Sequence, residues 1–352
     1  VDGIIAGVGS VLVFLPNILI LYFFISIMED SGYMARAAFI VDKLMHKIGL
    51  HGKSFIPMVM GFGCNVPAIM ATRSIESRKS RLITIAIIPF MSCAGRLPIF
   101  VLFAGAFFPE NPATALLGIY LLGIVVAILS ALIIGKFIKE DDLPFVMELP
   151  PYRVPTARAI GRHTWEKGKQ YLEKMATTIL VFSIAIWALG YFPRHEGATG
   201  AYQQEHSYIG MVGKTVEPAL EPLGFNWKMD VGLLTGIGAK ELVISSLGVM
   251  YAQEGAEAEA AAGADGTVST SAADSSDETA LQAALKADIP VAAALAYMVF
   301  VLLYFPCIAT FVATKNETGS WWWAILLCLY TILVAWIFAF AAYRIGLLVW
   351  PV

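Results

Sequence analysis

Gly61-Phe62-Gly63-Cys64-Asn65-Val66-Pro67 is the stretch that decides the fold. It interrupts an apolar run, Phe55 to Met70, too short and too broken to cross a bilayer, since a spanning helix needs about 20 apolar residues. Two glycines and a proline frame a cysteine at the expected depth of the membrane core. A second copy stands far downstream as Gly236-Ile237-Gly238-Ala239-Lys240-Glu241. Non-helical backbone survives at membrane depth only where protein buries it or where it lines a wet cavity. Both stretches are therefore candidate sites.

The surrounding composition fits a membrane setting. Of 352 residues, 58% are hydrophobic and 14% are charged, against about 25% charged in soluble domains. The net charge of −3, with no basic aromatic module, gives no case for nucleic acid. Cys64, Cys93, Cys307 and Cys328 all lie in apolar runs, a poor layout for an extracellular disulfide framework. The first residue is Val1 and no basic n-region precedes the apolar sequence, so a signal peptide is not expected and the chain reads as a segment of a longer polypeptide.

Working outward, Ser10 to Met28 is an expected span, followed by an amphipathic surface helix within Glu29 to Lys53. Arg73, Arg78, Lys79 and Arg81 come directly after the first broken element, so basic clusters bracket it on both sides. Such clusters mark the cytoplasmic face. The element then enters and leaves by one face, as a re-entrant hairpin. Leu82 to Phe108 goes outward, broken at Pro89 and Pro98, and Ala113 to Ile134 returns. The basic segment 136–174 reads as a cytoplasmic linker and surface helix. Met175 to Phe192 goes out, and 193–228 is expected outside. Residues 252–288, rich in Ala, Glu, Asp, Ser and Thr, are expected to be a disordered acidic insert. Ile289 to Thr314 returns, broken at Pro306, and Trp321 to Tyr343 is the last span.

The two glycine elements align, with Gly61 on Gly236, Gly63 on Gly238, Cys64 on Ala239 and Asn65 on Lys240. Each precedes a Pro-broken span with a cysteine near the break: Pro89 and Cys93, then Pro306 and Cys307. Cys64 and Cys93 are 29 residues apart; Ala239 and Cys307 are 31 apart once the 37-residue insert is left out. The first unit opens with an inward helix and the second with an outward one. The expected fold is therefore an all-α polytopic membrane protein, an inverted-topology repeat of two gate-type units with re-entrant hairpins and Pro-broken helices. Its divisions are 1–135 (first repeat and following span), 136–174, 175–315 (second repeat) and 316–352 (terminal span).

Unwound backbone frees carbonyls, and thiolates add soft donors that favour transition metals. A lone membrane cysteine is usually a packing residue. Three at matched breaks, Cys64, Cys93 and Cys307, shift that reading toward metal ligands, whereas Cys328 has no break beside it. Glu241 is a fourth candidate ligand, because an ionisable group in an apolar element is costly. Lys240 shares that cost, unless both residues simply reach water at an interface. Arg96, Glu29 and Asp30 are candidate charge partners, and Gly61, Gly63, Asn65, Pro67, Gly236, Gly238, Pro89 and Pro306 are gate backbone. Gly52-Lys53-Ser54 ends like a P-loop, but Lys47 stands where its first glycine belongs. No hydrolase motif occurs, and no enzyme activity is expected.

Glu29 to Arg36 (EDSGYMAR), Gly61 to Pro67, Pro89-Phe90-Met91-Ser92-Cys93, Pro144 to Pro150 (PFVMELP), Ala239-Lys240-Glu241 and Pro306-Cys307 together resemble the membrane part of the ferrous iron transport protein B family. The resemblance implies Fe(II) as substrate, uptake across a bacterial inner membrane, two gate regions, and a part in the iron path for Cys64, Cys93 and Cys307. It also implies a GTPase domain ahead of the membrane part, using GTP and Mg outside this sequence, and a further span at either end. Small cytoplasmic accessory proteins and a homo-oligomer are further expected partners besides the lipid bilayer. Two other readings stay open: a carrier of a polar organic solute such as a nucleoside, and a membrane scaffold that docks a soluble partner through 136–174.

Overall fold

The computed structural model describes residues 16, 19, 20, 22–138, 155–171, 173, 177–193, 206–248, 250, 251 and 275–349. Residues 10–15, 17, 18 and 21 of the expected first span, 144–154 of the linker and 252–274 lie outside the described residues. The described elements are helices, with no strand among the described residues. In order they are α1 (Tyr33–Lys47), α2 (Phe55–Gly61), α3 (Asn65–Ala71), α4 (Arg78–Ile87), α5 (Leu97–Phe107), α6 (Pro112–Phe137), α7 (Ala157–Tyr171) and α8 (Thr177–Tyr191). There follow α9 (Tyr208–Leu220), α10 (Trp227–Gly238), α11 (Ser275–Asp288), α12 (Val291–Leu303), α13 (Ile308–Thr318) and α14 (Trp321–Val349). Helical stretches also run over 22–30 and 242–248.

Four segments are long and apolar enough to cross a membrane: Arg78–Phe107, Pro112–Phe137, Val291–Thr318 and Trp321–Val349. The last, 29 residues long, rises about 43 Å against a hydrocarbon core of about 30 Å. Along α6 and α14, Leu117, Leu121, Leu129, Leu329 and Leu333 are exposed, as lipid contact allows. In α12, by contrast, Ala292 to Ala294 and Ala296 to Leu303 are buried, as expected for a helix apolar on every side.

Prolines and glycines set the interruptions. Pro89 sits in a 3₁₀ turn, Ile88–Phe90, that ends α4; a second turn, Ala94–Arg96, leads into α5 with Pro98 in its first turn, where a missing amide proton costs nothing. Pro306 biases Phe305 away from helix, and α12 stops at Leu303. Helices α2 and α3 have 7 residues each. Each rises about 10 Å, a third of the hydrocarbon thickness. They pack against each other.

Packing groups the chain differently from its linear order. One compact unit contains 1–94, 120–183 and 308–330; the other contains 95–119, 184–307 and 331–352. Each Pro-broken span thus gives one half to each unit. In the first unit α13 packs on α3, and Val66, Ile69, Ile87 and Phe90 are buried. In the second, α11 and α12 pack on α5, α9 packs on α10, and Phe103 stacks on Tyr297 at 5.0 Å between ring centroids.

Two expectations need correction or refinement. Residues 275–288, expected to be disordered, form α11. Its Leu285 is fully buried, and Asp288 Oδ2 accepts hydrogen bonds from Tyr251 Oη at 2.7 Å and Asn226 Nδ2 at 2.9 Å. A polar composition folds here because a few apolar residues find a ready-made surface. Helix α1 buries Met34, Ala38 and Met45 and leaves Tyr33, Ile40 and Leu44 exposed, the apolar face expected to meet the membrane surface.

Glu317, near the end of α13, was not anticipated. Its side chain is 3% exposed and accepts from Arg73 Nε on both oxygens, at 2.8 and 2.7 Å, while Arg81 donates to its carbonyl. The hydrogen-bonded carboxylate pushes the Arg73 guanidinium above its ordinary value. Arg73→Ala would leave this buried carboxylate short of its forked donor. We expect a loss of roughly 1–3 kcal/mol, discounted for the half-exposed arginine, read as a Tm several degrees lower in detergent. An unchanged Tm would show that solvent replaces the pair.

Candidate functional site

In the first unit the chain unwinds between α2 and α3. The amides of Gly63 and Cys64 both donate to Met60 O at 3.0 Å, closing α2. Cys64 then turns extended, with φ −153° and ψ 132°. The freed carbonyl of Gly63 accepts from the amide of Ala94 at 3.1 Å, so the broken element and the break of the next span are tied backbone to backbone. Cys64 and Cys93 each neighbour one end of that bond and are both half-buried. Gly61 is needed for the approach: a Cβ there would stand 3.0 Å from Met91 Cβ and 3.8 Å from Asn65 Oδ1. Asn65 and Ser92 are 4% and 1% exposed. Asn65 Oδ1 and Ser92 Oγ have no hydrogen-bond partner among the described residues. Tyr22, buried, lies within electrostatic reach of Cys64.

In the second unit α10 ends at Ala239, extended with φ −149° and ψ 137°. The aligned residues Cys64 and Ala239 thus share one backbone conformation, within about 5° in each angle. The break of 291–318 is held differently, by a side chain. Lys240 Nζ donates to Phe305 O at 2.7 Å and lies 3.3 Å from the centre of the Tyr304 ring. Lys240 is 4% exposed, so it does not simply reach water. Tyr304 Oη in turn donates to Leu233 O at 3.2 Å. A Cβ at Gly236 would collide with Tyr304 Oη and Val243 Cγ2, as one at Gly61 would crowd Met91.

Glu241 is half-buried and lies on Gly95, where a Cβ would overlap its Oε1. That sets the carboxylate beside the residue preceding Arg96, which is fully buried. Cys307 is half-buried at the start of the second half of the span. Cys328 is buried in α14, a packing position. Among the described residues no three His, Cys, Asp or Glu side chains form a metal-binding group. Asp30 is found beside His163, Oδ1 to Nδ1 3.4 Å, an arrangement the sequence reading did not foresee.

Two further side chains escaped the sequence reading. Ser92 adjoins Cys93, and its signal was its place at a break. Asp230, in the first turn of α10, is 1% exposed, and both its oxygens are without a hydrogen-bond partner among the described residues. A lone acid opening an apolar helix was the available signal.

The family model described as Gate, nucleoside recognition, matches residues 11–107 and 172–321, and that described as the ferrous iron transport protein B C terminus matches 116–167. A Porphyromonas gingivalis protein, "Fe(2+) transport protein A/Fe(2+) transporter FeoB fusion protein", is 51% identical over 99% of this chain and 44% of its own length. "Fe(2+) transporter FeoB" of Staphylococcus aureus strain MSSA476 is 44% identical over 98% of this chain and 48% of its own, and that of Campylobacter jejuni 41% over 98% and 55%. The chain spans about half the length of these curated relatives. No solved structure matches it.

Lys240→Met removes a charged donor from a buried carbonyl and a cation from an aromatic face. We expect it to destabilise the protein by roughly 1.5–3 kcal/mol, and Tyr304→Phe, which loses a neutral hydrogen bond, by roughly 0.5–1.5 kcal/mol. Thermal unfolding of the purified variants in detergent reads the difference. Equal effects would mean that the lysine's charge contributes nothing.

Proposed function

Because the chain belongs to the family of Fe(2+) transporters FeoB, whose membrane part it matches, we propose that it moves ferrous iron across a bacterial inner membrane. The observation that carries this reading is the Ala94-to-Gly63 hydrogen bond, which sets two cysteine-bearing breaks side by side within a chain of membrane-spanning helices. A divalent ion leaving water needs donors to replace its hydration shell. Cys64 and Cys93 supply thiolates in one unit; Cys307 and Glu241 supply a thiolate and a carboxylate in the other. Borderline and soft donors of this kind favour Fe(II) over Mg(II) or Ca(II).

The equal backbone angles at Cys64 and Ala239, with a glycine one turn before each, support reading the two halves as one motif used twice. The charge bias of the flanking sequence supports opposite orientation, with 136–174 cytoplasmic. Lys240 and Arg96 limit the negative charge around Glu241 when no ion is bound. Control by a GTPase domain, and a small accessory partner like the protein A half named in the Porphyromonas fusion, complete the reading.

A second reading, transport of a polar organic solute such as a nucleoside, has in its favour the description of the Gate family model. It also has a cavity of about 380 Å³ in the second unit, lined by Trp187, Tyr191, Trp227, Thr235 and Ser246 among others.

Flux into liposomes separates the two, with Fe(II), Zn(II), Mn(II) and a nucleoside offered to the same preparation. We expect Fe(II) flux, lowered at least tenfold by Cys64→Ser with normal membrane insertion, and no nucleoside flux. Thiolate ligation releases protons, so iron affinity should rise with pH. Wild-type uptake by Cys64→Ser at limiting iron would refute the ligand role. Glu241→Gln should also slow transport; wild-type rates there would leave Glu241 a packing residue on Gly95.

A further inference from the structure

Two buried side-chain oxygens without a hydrogen-bond partner among the described residues belong to the sequence neighbours of the two cysteines of the first unit. Asn65 follows Cys64 and Ser92 precedes Cys93, and the Gly63–Ala94 bond joins the two loops. A Cβ at Gly61 would stand 3.8 Å from Asn65 Oδ1 and 3.0 Å from Met91 Cβ, so Asn65 and the residue before Ser92 both border the same glycine. Leaving a polar side-chain atom buried without a partner is costly. Two such atoms within one pair of linked loops call for a ligand that needs oxygen donors. No group of three or more His, Cys, Asp or Glu occurs among the described residues, so further side-chain donors among them beside the two cysteines are neutral.

We propose that Asn65 Oδ1 and Ser92 Oγ complete a two-sulfur, two-oxygen cation site with Cys64 and Cys93, and that these oxygens set its preference for Fe(II) over softer divalent ions. The inference rests on the iron-path reading above. Charge gives the physical reason. Two thiolates cancel the +2 of the ion, so the loaded site is neutral, and a neutral group is far cheaper to hold in a low-dielectric interior than a net charge. A third anionic ligand would leave an excess negative charge and hold the ion too tightly to pass. Neutral oxygens bind weakly enough to let it leave, as conduction requires. They also penalise thiophilic ions such as Cd(II), which gain less from oxygen than Fe(II) does.

The test uses the full chain in detergent under anaerobic conditions, with Fe(II), Cd(II) and Co(II) as probes. Ser92→Ala and Asn65→Ala should each weaken Fe(II) binding about tenfold or more while changing Cd(II) binding less than about threefold. Ser92→Cys keeps the volume nearly unchanged and covers the case in which the alanine variants fail to fold. It should reverse the preference toward Cd(II) and raise the thiolate-to-Co(II) charge-transfer absorption by about half, from two sulfurs to three. An unchanged Fe(II)-to-Cd(II) ratio in all three variants, with binding lost in Cys64→Ser, would overturn the oxygen ligands and leave the cysteine path standing. Wild-type Fe(II) binding by Cys64→Ser would instead overturn the path itself.

Discussion

A helix broken inside hydrocarbon exposes polar backbone that the bilayer cannot solvate, and every broken element here must supply its own partners. The first unit does so through the backbone, with the Ala94 amide on the Gly63 carbonyl. The second does so through a side chain, with the Lys240 ammonium on the Phe305 carbonyl and over the Tyr304 ring. The same problem is met by two chemistries. Where the first has Asn65 the second has Lys240, and where the first has Met91 near a glycine the second has Tyr304.

Close approach makes these bonds reachable. Gly61 admits Met91, Gly236 admits Tyr304 and Gly95 admits Glu241. A side chain at any of them would push a break away from its partner. Smallness at these points is therefore a packing demand rather than a need for left-handed backbone, which is found instead at Gly32, Gly49, Gly224 and Gly319. The chain keeps small residues where two broken segments must nearly touch.

Charge is distributed unevenly around this apolar frame. Glu317 is met by two arginines close in sequence to the first broken element, Arg73 and Arg81, so the end of α13 is fixed to the residues following α3. Lys228 lies 3.5 Å from Asp288 and over the Tyr251 ring, tying α10 to the end of α11. Asp230, two residues beyond Lys228, is buried without such a partner among the described residues.

The membrane class and the helix breaks were legible in the sequence, because proline, glycine and hydropathy act locally and need no neighbour to be read. The alignment of Cys64 with Ala239 rests on the matched glycines and on spacing, and their nearly equal backbone angles follow from the same local pattern. Hydropathy likewise separated lipid-facing α6 and α14 from the rest only as spans; which helix is enclosed, α12, depended on packing. Composition misread 275–288, because one buried leucine, two hydrogen-bonding neighbours and an ion-paired lysine outweigh a polar average. The carbonyl that Lys240 reaches, the arginines that Glu317 holds and the side-chain oxygens of Asn65 and Ser92 that meet no hydrogen-bond partner among the described residues were decided by tertiary structure alone. Each depends on which groups meet across tens to hundreds of residues, and no local rule of the chain encodes that distance.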